Sequence, residues 1–218
     1  MALIAKKSNP VVIPPLASGT YTAVCIGLVD LGEQLNTLFN KYQDVVSMTF
    51  EFVGETIERG NGPEPRWISK EYTKSLAEKS NLYRDLKAWT GGLTDKQLEE
   101  YDLSQLIGKG CLVSVEVREG KEGRQFNRIS GIMALPKGMP EPKAESDTFI
   151  FDMDKEETYA ALPNLPQFIR ERIEKSPTWA KKQVGKEEMS MDDEEKSEIP
   201  KNVDPETGEI LKDNDCPF

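Results

Sequence analysis

Aromatic and basic side chains stand next to each other in several short stretches of the sequence. Arg66 precedes Trp67, and Arg124 and Arg128 flank Phe126. A planar ring is a surface on which a nucleobase can stack, and a neighbouring cation can neutralise a phosphate, so together they can hold a single nucleic-acid strand. The candidate nucleic-acid-binding residues are Lys41, Tyr42, Arg66, Trp67, Lys70, Tyr72, Lys74, Arg118, Lys121, Arg124, Phe126 and Arg128.

Each of these residues also has an ordinary structural role open to it. Aromatic residues in strands are more often part of a core, which is the alternative for Trp67, Tyr72 and Phe126. A basic residue taken singly is usually a solvated surface residue. Trp89 differs, because its helical spacing from Leu82 and Leu86 predicts burial.

A second distinctive feature of the sequence is its acidic C-terminal segment. Residues 187–218 contain twelve acidic residues and three lysines, a net charge of −9, whereas residues 1–186 carry a net charge of −1. A segment with this much like charge cannot bury enough apolar surface to offset the entropy that it would lose on ordering. We therefore expect residues 187–218 to be disordered. It ends in Asp213, Asp215, Pro217 and Phe218, where an aromatic ring adjoins a free carboxylate. The plain alternative is a solubilising tail.

This tail resembles that of the bacterial single-stranded-DNA-binding proteins, whose acidic tails end in an Asp-rich tip that closes with Pro-Phe. In that family, the terminal ring and carboxylate enter a basic-rimmed apolar pocket on replication and repair enzymes. The resemblance implies that Asp213, Asp215, Pro217 and Phe218 bind partner proteins. Cys216 replaces the usual aliphatic residue of the tip, a mild change because a free cysteine behaves as a small hydrophobe.

Composition argues against most enzyme classes. The chain has no histidine, which removes the commonest general base and transition-metal ligand. Gly108-Lys109-Gly110 lacks the other residues of a phosphate-binding loop. Four carboxylates in residues 152–157 could in principle hold Mg²⁺, but no framework fixes them, so a solvated acidic connector is the better explanation. We expect no catalysis, no cofactor and no metal.

The three cysteines, Cys25, Cys111 and Cys216, are far apart and odd in number, which indicates a reducing compartment without a disulfide framework. The N-terminus does not have the charge order of a signal peptide, and no apolar run is long enough to span a bilayer. These features predict a cytoplasmic protein.

The elements that must position the candidate residues follow from hydrophobic patterning. Strands are predicted at residues 19–31, with Gly27 a bulge and Gly32 the end, and at 44–56, 66–73, 110–118 and 126–135. A polar loop is expected at residues 33–43. Helices are predicted at 80–89, capped by Ser80 and ended by Gly91, and at 167–175.

Three strands, a helix and two strands form the element order of the OB-fold, a five-stranded barrel that binds single strands. We therefore expect a mainly β protein with an extended N-terminal arm at residues 1–18 and an OB-fold domain at 19–136. A connector with an amphipathic packing helix is expected at 137–180, and a disordered acidic interaction tail at 181–218.

The strings TAVCIGLVDLG at residues 22–32 and FEFVGE at 50–55, together with residues 71–89, resemble a group of phage- and prophage-encoded single-stranded-DNA-binding-like proteins. The resemblance covers residues 19–135 and implies a role in replication and recombination in the host cytoplasm. The predicted function is sequence-nonspecific binding of single-stranded DNA, with recruitment of partner enzymes by the tail and possible self-association. The alternatives are an acidic interaction protein that mimics DNA and a metal-dependent recombination enzyme or nuclease.

Overall fold

A computed structural model describes residues 13–58, 62–120 and 123–184. Most of the predicted arm, Lys121 and the predicted partner-binding tip at Asp213, Asp215, Pro217 and Phe218 lie outside these residues. Residues 177–184 are helical, so the first four residues of the predicted disordered tail are ordered. Lys181 and Lys182 anchor them through ion pairs to Glu33 at 3.5 Å and Asp154 at 2.7 Å.

Six strands form a single sheet, which confirms the mainly β prediction. Five of them lie in the order β3-β2-β1-β4-β5, with antiparallel neighbours, and β6 pairs with β1 in parallel. No ladder joins β3 to β5 among the described residues, so the sheet is open and the predicted five-stranded barrel is not confirmed. The strands are β1 Gly19–Asn36, β2 Lys41–Glu58, β3 Pro63–Thr73, β4 Gly110–Glu119, β5 Gln125–Met133 and β6 Phe149–Phe151.

The β1–β2 hairpin is longer than predicted. Gly27 is at a register shift, as expected, but Gly32 does not end β1: with φ +62° it lies at a second shift, and pairing continues from Glu33 to Asn36. The predicted polar loop at 33–43 is therefore too long, because the turn is confined to residues 37–40. Backbone pairing does not depend on side-chain polarity, so polar residues can extend a ladder that starts in the core.

The main core lies between the inner face of the sheet and helix α1, Asn81–Thr90. The Ser80 hydroxyl accepts the Tyr83 N–H at the start of α1, and Gly91 ends it in the left-handed conformation, as predicted. Trp89 is buried, as expected, with its ring 5.8 Å from that of Phe50 and its indole N–H donated to the Gly110 carbonyl.

The two described cysteines, Cys25 and Cys111, are free and buried in this core. Burial raises the pKa of the Cys25 thiol to about 12, so it stays protonated and unreactive at neutral pH.

Short helical elements connect and flank the strands. Helix α2, Asp95–Glu99, and a 3₁₀ turn, Leu103–Leu106, join α1 to β4, and a 3₁₀ segment, Glu156–Asn164, precedes helix α3, Gln167–Glu174. The predicted amphipathic helix is α3, which buries Ile169 and Ile173 in a second cluster with Leu31 and Phe151. None of the described helices is long and apolar enough to cross a membrane.

Close approach of β6 to β1 requires a glycine at position 27. A Cβ built on Gly27 would lie 2.2 Å from Cζ of Phe149. We expect Gly27→Ala to destabilise the protein by about 1–3 kcal/mol, because the ring must move out of its packed position. Gly131→Ala is the matched control, since a Cβ at Gly131 meets no atom within 4 Å. Equal denaturation midpoints for the two variants would contradict this packing account.

Candidate nucleic-acid interface

A groove runs between β3 and β5, the two strands at the ends of the sheet, which form no ladder with each other among the described residues. It has a volume of about 910 Å³. We call it the β3–β5 groove. Four of the predicted nucleic-acid-binding residues line it: Arg66 and Trp67 from β3, Phe126 from β5 and Arg124 from the loop before β5. Its residues from these strands and the loop before β5 include Arg66, Trp67, Arg124, Gln125, Phe126 and Asn127.

Trp67 stands at the β3 side of the groove with 49% of its surface exposed. It lies opposite Glu51 in the β2–β3 ladder, on the face away from the main core. The Glu51 carboxylate accepts the backbone N–H groups of Glu145 and Ser146, which holds the connector there. The Trp67 indole N–H in turn donates to the Ser146 hydroxyl at 3.2 Å. This hydrogen bond orients the Trp67 ring through its indole N–H, while much of the ring surface stays exposed.

Phe126 stands at the β5 side of the groove and is 47% exposed. A Cβ on Gly120 would lie 3.4 Å from its ring, so the glycine leaves room for the ring beside the β4–β5 loop. Arg124 is exposed in the same loop, and its carbonyl accepts the Gly120 N–H. This hydrogen bond fixes the backbone of the β4–β5 loop, which carries Arg124 and leads directly to Phe126.

Two further predicted cations flank Phe126. Arg118 lies opposite Phe126 in the β4–β5 ladder and pairs with Glu116 at 2.6 Å. Arg128 lies opposite Glu116 and is exposed. Side chains that face each other across an antiparallel ladder share one face of the sheet, so these cations adjoin the exposed ring. The Glu116 carboxylate partly offsets their charge.

Arg66 occupies the floor of the groove. It lies opposite buried Phe52 and is itself only 7% exposed. Its Nη1 donates to the Pro14 carbonyl at 2.9 Å, whereas its buried Nε has no hydrogen-bond partner.

Three of the predicted nucleic-acid-binding residues, Lys70, Tyr72 and Lys74, instead interact with buried carboxylates. Lys70 Nζ lies 2.6 Å from Asp85 of α1, and the Tyr72 hydroxyl donates to the same carboxylate at 2.9 Å. Burial, together with the Asp85 charge, raises the pKa of the Tyr72 phenol well above its usual range. Lys74 pairs with Asp30 at 3.0 Å. Tyr72 is 3% exposed, so no base can stack on its ring in this conformation.

The β1–β2 hairpin tip lies away from the groove. Tyr42 is 57% exposed and Lys41 is exposed. From Tyr42 to Glu51, the residue opposite Trp67, an extended strand spans about 30 Å. The structure therefore brings Arg66, Trp67, Arg124 and Phe126 together and leaves Lys41 and Tyr42 at a separate end of the sheet.

Sequence reasoning did not identify the polar lining of the groove or the segment that crosses it. Asn127 exchanges two hydrogen bonds with Leu16, donating to its carbonyl and accepting its N–H at 2.9 and 2.8 Å. Residues 13–17 form no strand, in keeping with the extended arm that Pro14 and Pro15 predict. The alternation of Gln125 and Asn127 with Phe126 was the available signal for a polar inner face.

Two of the four carboxylates considered for Mg²⁺ binding, Asp152 and Asp154, have other partners. Asp152 accepts the Asp154 N–H and lies 3.5 Å from Lys155. Lys182 bonds to Asp154, and this hydrogen bond lowers the pKa of the Asp154 carboxyl. Within residues 13–58, 62–120 and 123–184, no three Cys, Asp or Glu side chains are grouped as a metal site.

The β3–β5 groove is thus bordered by two half-exposed rings, Trp67 and Phe126, and by the cations Arg66 and Arg124. Compared with known proteins, the chain matches no family model, and no curated protein shows significant sequence similarity to it.

Proposed function

We propose that the protein binds single-stranded DNA without sequence preference in the β3–β5 groove. The observation that carries the proposal is the pair of half-exposed rings, Trp67 and Phe126, on opposite sides of one groove. Such rings hold nucleobases by stacking, which tolerates any sequence because every base has a flat face. The rings of duplex DNA bases are already stacked on each other, so this surface favours single strands.

The strand order supports an OB-fold as the scaffold for this function. β1 pairs with both β2 and β4, which leaves β3 and β5 at the two ends of the path. The OB-fold is a five-stranded, partly open barrel. We propose that the sheet is such a barrel, open between β3 and β5, with the strand bound at the opening.

Local cations supply the electrostatic part of the proposed binding. Residues 1–186 are close to neutral overall, so the protein lacks the general basic character of many nucleic-acid-binding proteins. Arg124 and Arg128 are exposed beside Phe126. We infer that stacking provides the larger share of the affinity and that phosphate contacts provide a smaller, salt-dependent share.

An equilibrium titration tests this proposal. We expect the full chain to bind oligo-dT more tightly than a duplex of equal length, with affinity falling as salt rises because counterions are released from the phosphates. The measurement is fluorescence anisotropy with labelled oligo-dT, oligo-dA and duplex at two salt concentrations. Tighter binding of the duplex, or no binding of any oligonucleotide at low salt, would contradict the proposal. The second result would favour an acidic interaction protein.

We further propose that the acidic tail recruits replication or recombination enzymes and that catalysis is not part of the function. The tip residues Asp213, Asp215, Pro217 and Phe218 lie outside the described residues, and this proposal rests on their sequence. An aromatic ring beside acidic side chains suits an apolar pocket rimmed by Arg or Lys.

Phe218→Ala should abolish capture of host replication and repair proteins while leaving oligo-dT affinity unchanged. Deletion of residues 213–218 should do the same, with affinity unchanged or slightly raised, because an acidic tail competes with phosphates for the same cations. Pull-down and titration on the same preparations measure both effects. Retention of the same partners without Phe218 would show that the tail only solubilises the protein.

A further inference from the structure

Residues 14–16, which we call the brace, connect the two strands that border the β3–β5 groove. On the β3 side, Arg66 Nη1 donates to the Pro14 carbonyl at 2.9 Å. On the β5 side, the Asn127 side chain donates to the Leu16 carbonyl at 2.9 Å and accepts the Leu16 N–H at 2.8 Å. β3 and β5 form no ladder with each other among the described residues. The brace therefore supplies a hydrogen-bonded link between them that the sheet does not.

The brace is anchored and stiff. Leu16 is 8% exposed and belongs to the main core, so burial holds one end of the brace in place. The rings of Pro14 and Pro15 fix their φ angles, and consecutive prolines form a semi-rigid spacer. Neither proline has a backbone N–H that would need a partner beside the groove. The brace thus keeps its contacts with β3 and β5 at a nearly constant separation.

Each contact of the brace is one residue away from an exposed ring of the groove. Arg66 precedes Trp67 in β3, and Asn127 follows Phe126 in β5. Successive side chains of a strand point to opposite faces, so each strand presents its ring on one face while the neighbouring side chain holds the brace. A single strand that stacks on both rings binds best when their separation is fixed in advance, because ordering the site during binding costs free energy.

We propose that Arg66 and Asn127 are positioning residues, which act through the brace to fix the separation of Trp67 and Phe126, and that Arg124 is the phosphate contact of the groove. This inference rests on the proposed function and deepens it. Arg66 is 7% exposed and its Nε is buried, whereas Arg124 is exposed in the loop before β5. Once a base stacks on one ring, the fixed separation raises the effective concentration of another base of the same strand at the second ring.

Asn127→Ala in the full-length chain tests the β5 side of the brace. It removes both hydrogen bonds to Leu16 and leaves both rings in the chain, so oligo-dT binding should weaken about three- to tenfold. The matched control is Ser18→Ala/Tyr21→Phe, which also removes two hydrogen bonds beside the brace, those of the Ser18 and Tyr21 hydroxyls. Neither residue lines the groove, and Leu16 keeps its bonds to Asn127, so the affinity should not change.

The same substitution in a Trp67→Ala background separates positioning from the other roles of Asn127. With one ring left, there is no separation to hold, so Asn127→Ala should then change the affinity by less than about twofold. A side chain that touches the strand itself, or that only stabilises the fold, would cost the same in both backgrounds. Arg66→Gln, which breaks the brace on the β3 side, replaces Asn127→Ala if thermal unfolding shows that the latter does not fold.

Salt dependence distinguishes the role of Arg66 from that of Arg124. The slope of log affinity against log salt concentration reports how many phosphates the protein neutralises. Arg124→Gln should reduce the magnitude of this slope by about 0.7, the value for one phosphate of a single strand. Arg66→Gln should weaken oligo-dT binding with the slope unchanged, because no phosphate contact is lost.

The outcomes separate the two proposals. No loss from Asn127→Ala in the parent chain, an equal loss in the Trp67→Ala chain, or an equal loss from Ser18→Ala/Tyr21→Phe would overturn the positioning role while leaving single-strand binding intact. A smaller salt slope for Arg66→Gln would make Arg66 a phosphate ligand and would overturn its role in positioning. A parent chain that binds no oligo-dT would overturn the proposed function and this inference with it.

Discussion

Replacing both Trp67 and Phe126 with alanine is expected to weaken oligo-dT binding by about 2–6 kcal/mol, with about 1–3 kcal/mol from each ring. The rings are 49% and 47% exposed, so their loss should leave the melting temperature almost unchanged. Binding isotherms of the two single variants and the double variant measure the effect. This loss is large because we assign most of the affinity to stacking on these two rings.

Phe168→Ala is the control for this experiment. Phe168 is 64% exposed on α3 and does not line the groove, so its removal should not change the affinity. If the double variant binds as tightly as Phe168→Ala, the groove is not the stacking surface. If instead the double variant unfolds at a much lower temperature, the two rings are principally core residues.

Asp85→Ala is expected to lower the free energy of unfolding by about 3–5 kcal/mol, the cost of leaving a buried charge without its partner. Asp85 is 4% exposed and accepts from both Lys70 and Tyr72. Removing the carboxylate leaves the Lys70 ammonium and the Tyr72 hydroxyl unsatisfied beneath α1. Urea denaturation provides the measurement.

Asp154→Ala is the matched substitution at the surface. The Asp154 side chain is 77% exposed and forms one ion pair, with Lys182, and exposed pairs contribute about 0–1 kcal/mol. Similar losses for the two variants would mean that the Lys70–Asp85–Tyr72 group is not a buried network. A much larger loss for Asp85→Ala supports the assignment of Lys70 and Tyr72 to the core.

The sequence predicts five of the strands and helices α1 and α3 well, because their signals are local. Apolar residues at period two in β2 and β4, and Ser80 and Gly91 at the ends of α1, determine these elements within a few residues. The three-residue β6 had no such signal. Its pairing depends on contact between Phe149 and Gly27, which are distant in the chain.

The sequence predicts the candidate site less well than it predicts the fold. The charged residues of β3 suggested that their side chains lie on an exposed face of the strand. Arg66, Lys70 and Tyr72 alternate with Trp67 and therefore lie on the opposite face of the strand, toward the core. Their burial depends on Asp85 and the Pro14 carbonyl, which sequence spacing cannot place beside them. Trp67 and Phe126 remained in the site because each lies on an outward-facing position of an edge strand.

The most direct test of the central claim is ultraviolet cross-linking of oligo-dT to the full-length protein, followed by mapping of the modified peptides. Direct contact in the β3–β5 groove predicts that the cross-links concentrate in the peptides containing Trp67 and Phe126, and that a duplex of equal length gives far fewer. Cross-links confined to other peptides, such as the one containing Tyr42 at the β1–β2 hairpin tip, would contradict the account.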